Sequence, residues 1–105
     1  MYFARMATVV PVSGRQAEVE QLLDDLLAWL RTQKGFVVGM RFIDTERPEN
    51  VTSMGIYESR ADGDRIATSQ HLLSINSQII ALSRGRYVEW RTFEVPTFAS
   101  EMLKT

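Results

Sequence analysis

The spacing of apolar positions switches repeatedly along this chain, and each switch marks an element. Tyr2 to Val10 (YFARMATVV) is rich in β-branched and aromatic residues and runs into Pro11, which cannot donate a ladder hydrogen bond, so it reads as a strand. Ser13 and Gln16 stand at capping-box spacing, and beyond them Val19, Leu22, Leu23, Leu26, Leu27 and Leu30 recur every three or four residues. That stripe predicts a helix with one apolar side, with Glu18, Asp24, Asp25 and Arg31 left in water and Gly35 closing it as a left-handed cap. Phe36 to Asp44 (FVVGMRFID) and Val51 to Glu58 (VTSMGIYE) flank a polar turn containing Pro48, which predicts a hairpin. Ser59 and Asp62 form a second capping pair, ahead of a helix whose buried face is Ile66, Leu72, Leu73, Ile75, Ile79, Ile80 and Leu82 and which ends at Gly85. Arg86 to Val95 (RYVEWRTFEV) is a fourth strand stopped by Pro96, and residues 97–105 form a short tail.

The order is βαββαβ, an α+β protomer with a four-stranded antiparallel sheet and two helices on one face. Two helices leave the other face of the sheet open. Alternation sorts the strand residues into a strongly apolar set (Tyr2, Met6, Val10, Val38, Met40, Phe42, Met54, Ile56, Val88, Trp90) and a mixed set. The mixed set includes Phe3, Arg5, Ala7, Val9, Gly39, Arg41, Ser53, Gly55, Tyr57, Tyr87, Arg91 and Phe93. Neither set suits water. The free face is therefore expected to meet a second copy, giving a homodimer through the sheet.

Composition narrows the picture. The 105 residues suit a single domain, with a core of about 2–95, that buries roughly 65% of the surface of its unfolded chain. A formal charge of -1 offers no field to gather nucleic acid or an anionic bilayer, so neither is expected as a partner. The absence of cysteine excludes disulfides, thiolate nucleophiles and Fe–S clusters and suits a cytoplasmic location. No window approaches the roughly 20 apolar residues of a membrane helix, and the first ten residues, interrupted by Arg5, do not read as a signal peptide.

Ser13-Gly14 at the opening of the first helix, Lys34-Gly35-Phe36 at its end and Tyr57-Glu58-Ser59 ahead of the second resemble, in order and spacing, the antibiotic biosynthesis monooxygenase family over about Tyr2 to Val95. The family often has Pro-Gly at the first two places and Trp-Glu-Ser at the third. The resemblance implies a ferredoxin-like protomer that pairs sheet to sheet into a dimeric α/β barrel, with a cavity between sheet and helices. Members of the family are cofactor-free oxygenases of phenolic polyketides or quinols, haem degraders, or proteins of no known reaction. Haem degraders carry Asn, Trp and His where this chain has Ala7, Ile66 and Asn76, which argues against haem breakdown. The polyketide oxygenases flank substrate with an Asn and a Trp at positions that correspond to Ser53 and Tyr57.

The candidate chemistry is thin. His71, the sole histidine, has the titration range of a general base, but at the edge of an apolar helix face it equally reads as a rim residue. Without a second histidine or a cysteine it builds no metal site. Tyr57 reads either as a phenol that binds or protonates substrate, or as a packing residue with a wet tip. Arg5 and Arg41 interrupt apolar strands, where a guanidinium requires a partner: a carboxylate such as Glu89, or an anionic ligand. Tyr57, His71 and Arg41 are thus the catalytic candidates, and Ser53, Tyr57 and Arg5 the substrate-binding ones. The function expected from them, with the resemblance, is a monooxygenase without metal or flavin that acts on a small aromatic, phenolic or quinol-type molecule. The alternative is a non-catalytic dimeric binding or stress-response module.

Overall fold

A computed structural model describes residues 1–99; residues 100–105, most of the expected tail, lie outside the described part. The elements are β1 (Tyr2–Val9), α1 (Gln16–Leu30), β2 (Phe36–Ile43), β3 (Val51–Tyr57), α2 (Arg60–Ala67), α3 (Gln70–Ala81) and β4 (Glu89–Val95). The sheet has the order β2-β3-β1-β4 with every neighbouring pair antiparallel, so the fold is the expected α+β arrangement.

Three local expectations are corrected. Ser13 does not cap α1. Gly14 adopts φ +84 and the Arg15 amide bonds to the Val12 carbonyl, so a complete turn precedes the helix and Arg15 takes the N-cap position with no side-chain cap. Gly35 is left-handed, at φ +88, but α1 has already ended at Leu30, and successive turns carry the chain to it. The single second helix is two. The Thr68 hydroxyl donates to the Asp64 carbonyl and the Ser69 hydroxyl to the Ile66 carbonyl, competing with the helix ladder, and Ser69 then caps α3 by accepting from the Leu72 amide. Ser59 does cap α2, accepting from the Asp62 amide as its spacing predicts.

The helices lie on the face that carries the mixed set. Phe3, Val9, Val51 and Tyr57 are buried there against Val19, Leu23, Leu26 and Leu30 of α1, Ile66 of α2 and Leu72, Ile75 and Ile79 of α3. Because the helices supply most of the core volume, the sheet beneath them tolerates small and polar residues. The parity of the fourth strand is also corrected. Regular pairing begins only at Glu89, after an irregular segment, and Trp90 lies opposite Ala7 while Arg91 and Phe93 lie opposite Met6 and Ala4. Trp90 therefore belongs to the helix side, and Arg91 and Phe93 to the open side. Across the open side Met40, Met54 and Met6 stand in one cross-strand row that ends at Arg91.

Candidate functional site

Between the sheet and the helices is a cavity of about 80 Å³ whose wall includes Arg5, Ser53, Tyr57, Asn76, Tyr87 and Trp90, with leucines of α1 and Leu72 of α3 above them. A chamber of about 40 Å³ shares Ala7, Ser53, Asn76 and Tyr87 with it and continues toward Val9, Val51 and Ile79. The space arises from the sequence of the central strands. Ala7 lies opposite Ser53 and Arg5 opposite Gly55, so two adjacent rungs beneath the helices place Ala, Ser and Gly where larger strand residues would fill the gap.

Tyr57 ends β3, is only 4% exposed, and lays its ring back along the strand over Gly55; Phe36 packs edge-on against it at 5.9 Å. Burial pushes its phenol above the ordinary tyrosine value, partly opposed by the positive charge of Arg5. The hydroxyl consequently stays protonated across the neutral range.

Arg5 enters the cavity wall from β1. Its Nη2 donates to Asp64 Oδ1 of α2 at 2.9 Å, so the partner is a helix carboxylate and not Glu89. The same Asp64 also faces Arg60 at 3.8 Å. Arg5 Nε is buried and meets no acceptor among the described residues. Tyr87 and Trp90 pack edge to face at 5.0 Å, and Trp90 is 54% exposed, so this aromatic pair stands where the wall meets solvent. Burial also raises the Tyr87 phenol.

The remaining candidates lie elsewhere. Arg41 bridges β2 to α1, with Nε and Nη2 on the two carboxylate oxygens of Asp24 at 2.9 and 3.2 Å and Nη1 on Glu20 at 3.1 Å. The Asp24 bond, followed by both acidic charges, outweighs desolvation and raises its pKa further. His71 is exposed and stacks on Trp29 at 4.3 Å, joining α3 to α1 on the outside of the molecule. The structure thus gathers Arg5, Ser53 and Tyr57 around one space and leaves Arg41 and His71 outside its wall. Asn76, Tyr87 and Trp90 were not singled out as site residues from sequence. Only Asn76 offers a signal, as a lone amide beside Leu72, Ile75 and Ile79 on the apolar face of α3. Among the described residues no group of three or more His, Cys, Asp or Glu could hold a metal ion, and no helix is long and apolar enough to cross a membrane.

No family model and no curated protein matches the sequence, so comparison rests on the backbone. A protein from Mycobacterium tuberculosis, Rv0793, superposes with a TM-score of 0.84 at 19% identity, over 95% of this chain and 100% of its own. A crystal structure of an antibiotic biosynthesis monooxygenase gives 0.78 at 16% identity, over 90% of this chain and 99% of its own. The chain has the antibiotic biosynthesis monooxygenase fold. A third structure of this fold, SnoaB of Streptomyces nogalater, described as a cofactor-independent oxygenase, gives 0.73 at 20% identity over 95% of this chain and 96% of its own. In the antibiotic biosynthesis monooxygenase fold as this chain builds it, the cavity lies between the small-residue rungs of β1 and β3 and the leucines of α1.

Proposed function

We propose that the protein is a cofactor-independent oxygenase of a phenolic or quinol-type aromatic molecule, a single cytoplasmic domain working as a homodimer packed sheet to sheet. The observation that carries this reading is the convergence of Arg5, Ser53 and the buried Tyr57 on one leucine-roofed cavity, the pattern of a small-molecule site with few polar groups in an apolar wall. The likeness to SnoaB supports the oxygenase class.

In the reaction proposed, the deprotonated substrate transfers an electron to O₂, and the radical pair recombines to a carbon–peroxide. The proton first removed from the substrate returns to the outer oxygen of that adduct, which leaves with the hydrogen of the same carbon as water, and the inner oxygen remains as the new carbonyl. One O₂ is consumed, one water is released, and the substrate itself is the reductant. The protein's part is to exclude water and hold the anion, through the positive charge of Arg5 and the donor hydroxyls of Tyr57 and Ser53.

A second reading, a non-catalytic dimeric binding module, is favoured by one observation. The cavity holds about 80 Å³, below the roughly 300 Å³ at which ligand pockets begin, so a ring system enters only if the Tyr87–Trp90 wall moves. Oxygen uptake with naphthols, anthrones and quinols decides between the two. Turnover that falls at least tenfold in Tyr57→Phe supports the oxygenase, and no uptake across the panel favours the binding module.

A further inference from the structure

The small chamber that continues from the cavity has a divided lining. Ala7, Ser53, Asn76 and Tyr87, which it shares with the cavity, stand on one side. Beyond them are Val9, Val51 and Ile79, each no more than 3% exposed, and Leu23 and Leu26 of α1 roof both spaces. The sequence accounts for both halves. On this face of the sheet the pair Val9 and Val51 follows the pair Ala7 and Ser53, so the strands change from small and polar to β-branched, and Asn76 and Ile79 lie one helical turn apart on α3. The size of the chamber excludes a ring. At about 40 Å³ it exceeds the roughly 10–15 Å³ that holds one water but falls well short of the roughly 150 Å³ cavity that takes benzene. Water does not suit the inner end either. An ordered water needs about two to four hydrogen-bond partners, and the valine, isoleucine and leucine side chains there supply none, so that end is the kind of apolar void that stays dry and takes up a gas.

We propose that this chamber is a dioxygen site, a dry recess of Val9, Val51 and Ile79 that holds O₂ against the substrate carbon at its mouth, with the Asn76 amide and the Tyr87 hydroxyl as donors to the oxygen that becomes negative. The proposal rests on the oxygenase reading and adds to it where the second reactant lies. When the electron leaves the substrate anion for O₂, the charge arises at the boundary between the dry and the polar lining, and N–H and O–H groups already in place there stabilise it without reorganisation. Tyr87 keeps its proton at neutral pH because burial raises its phenol. The carbon–oxygen bond then forms across the mouth, with no oxidant beyond O₂ and no reductant beyond the substrate.

The test uses xenon, an unreactive gas that settles in dry apolar voids. Crystals of the intact protein under xenon pressure are expected to show the atom in contact with Val9, Val51 and Ile79. In the oxygen-uptake assay, xenon is expected to compete with O₂, raising the KM for O₂ and not that for the aromatic substrate. Val51→Ile, which adds one carbon to the void, is expected to displace the xenon and to raise the KM for O₂ by about fivefold or more. An ordered water or no xenon at that place, a KM for O₂ that xenon leaves unchanged, or a Val51→Ile variant that loses the xenon yet keeps the wild-type KM for O₂ overturns the proposal. The two xenon measurements on the wild type decide the matter even if Val51→Ile fails to fold. Turnover with O₂ kinetics indifferent to xenon removes the chamber and leaves the oxygenase reading standing, whereas no oxygen uptake with any substrate removes both.

Discussion

The Tyr57 hydroxyl lies 2.8 Å from the point where a β-carbon on Gly55 would stand, with its ring carbons at 3.1 and 3.2 Å. Tyr57 therefore reaches the cavity only because the residue two places before it on the same strand has no side chain. The ring is buried on every side, so it cannot swing out of the way as an exposed chain end would. Gly55→Ala is expected to destabilise the fold by about 1–3 kcal/mol, the usual cost of overpacking, and to reduce ligand binding or turnover together with stability. Urea denaturation alongside the oxygen-uptake assay measures both. A variant within about 0.5 kcal/mol of wild type would show that the ring has a second resting place.

The junction of α1 with β2 is pinned to the start of α2 by Asp62. Its carboxylate accepts from Arg65 at 2.7 Å and from the Ser59 hydroxyl at 2.9 Å, and its side chain packs against Gly35. The Arg65 bond, then the Ser59 bond, hold the carboxyl below its ordinary value of 3.8, with Lys34 adding a smaller effect. The folded-state pKa is below the unfolded one, so the stabilisation is fully present above the ordinary aspartate range and is lost as pH falls through the folded-state value. Urea midpoints measured from neutral to acid pH are expected to fall on the acid side, and Asp62→Asn is expected to flatten that part of the profile. An unchanged acid limb in the variant would remove Asp62 from the account.

Met40, Met54 and Met6 form the centre of the sheet face that the helices leave uncovered. If that face joins two protomers, a charge in the row is desolvated without a partner. Met54→Lys is then expected to weaken self-association by roughly 100-fold or more, because a buried unpaired ammonium costs several kcal/mol. Sedimentation of wild type and variant at micromolar concentration reads this directly. A monomeric wild type would sink the homodimer, and a variant as dimeric as wild type would move the interface elsewhere.

What could be read from the sequence divides along physical lines. Val19, Leu23, Leu26 and Leu30 are all buried because the three- and four-residue spacing of α1 is unbroken, and a periodic pattern of that length has one solution. The break at Ser69 is not visible in the spacing, for the converse reason. The apolar positions on its two sides stay close to one phase, and only the competition of Thr68 and Ser69 hydroxyls for backbone carbonyls cuts the helix. The parity of β4 departs from simple alternation because residues 86–88 have strand-like composition without strand geometry, and a single irregular residue inverts every later assignment.

The site shows the same division. Arg5, Ser53 and Tyr57 were legible as polar or aromatic interruptions in apolar strands. That Arg5 keeps a donor without an acceptor among the described residues while Arg41 is fully engaged is not legible, because their partners sit on different helices away from the strands: Asp64 for the first, Asp24 and Glu20 for the second. Tyr87 and Trp90 escaped notice as site residues because a wall residue is defined by where the opposite wall lies, and that depends on the packing of α3.

Among the described residues β4 is an edge strand, hydrogen-bonded to β1 alone, and Trp90 and the Tyr87 just before the strand form part of the cavity wall. The interior volume is thus governed by a segment held from one side only, the kind that frays first. A guest lodged behind Tyr87 would act as a wedge and a brace at once, and its presence would be written at the rim of the sheet, in the amide exchange of β4.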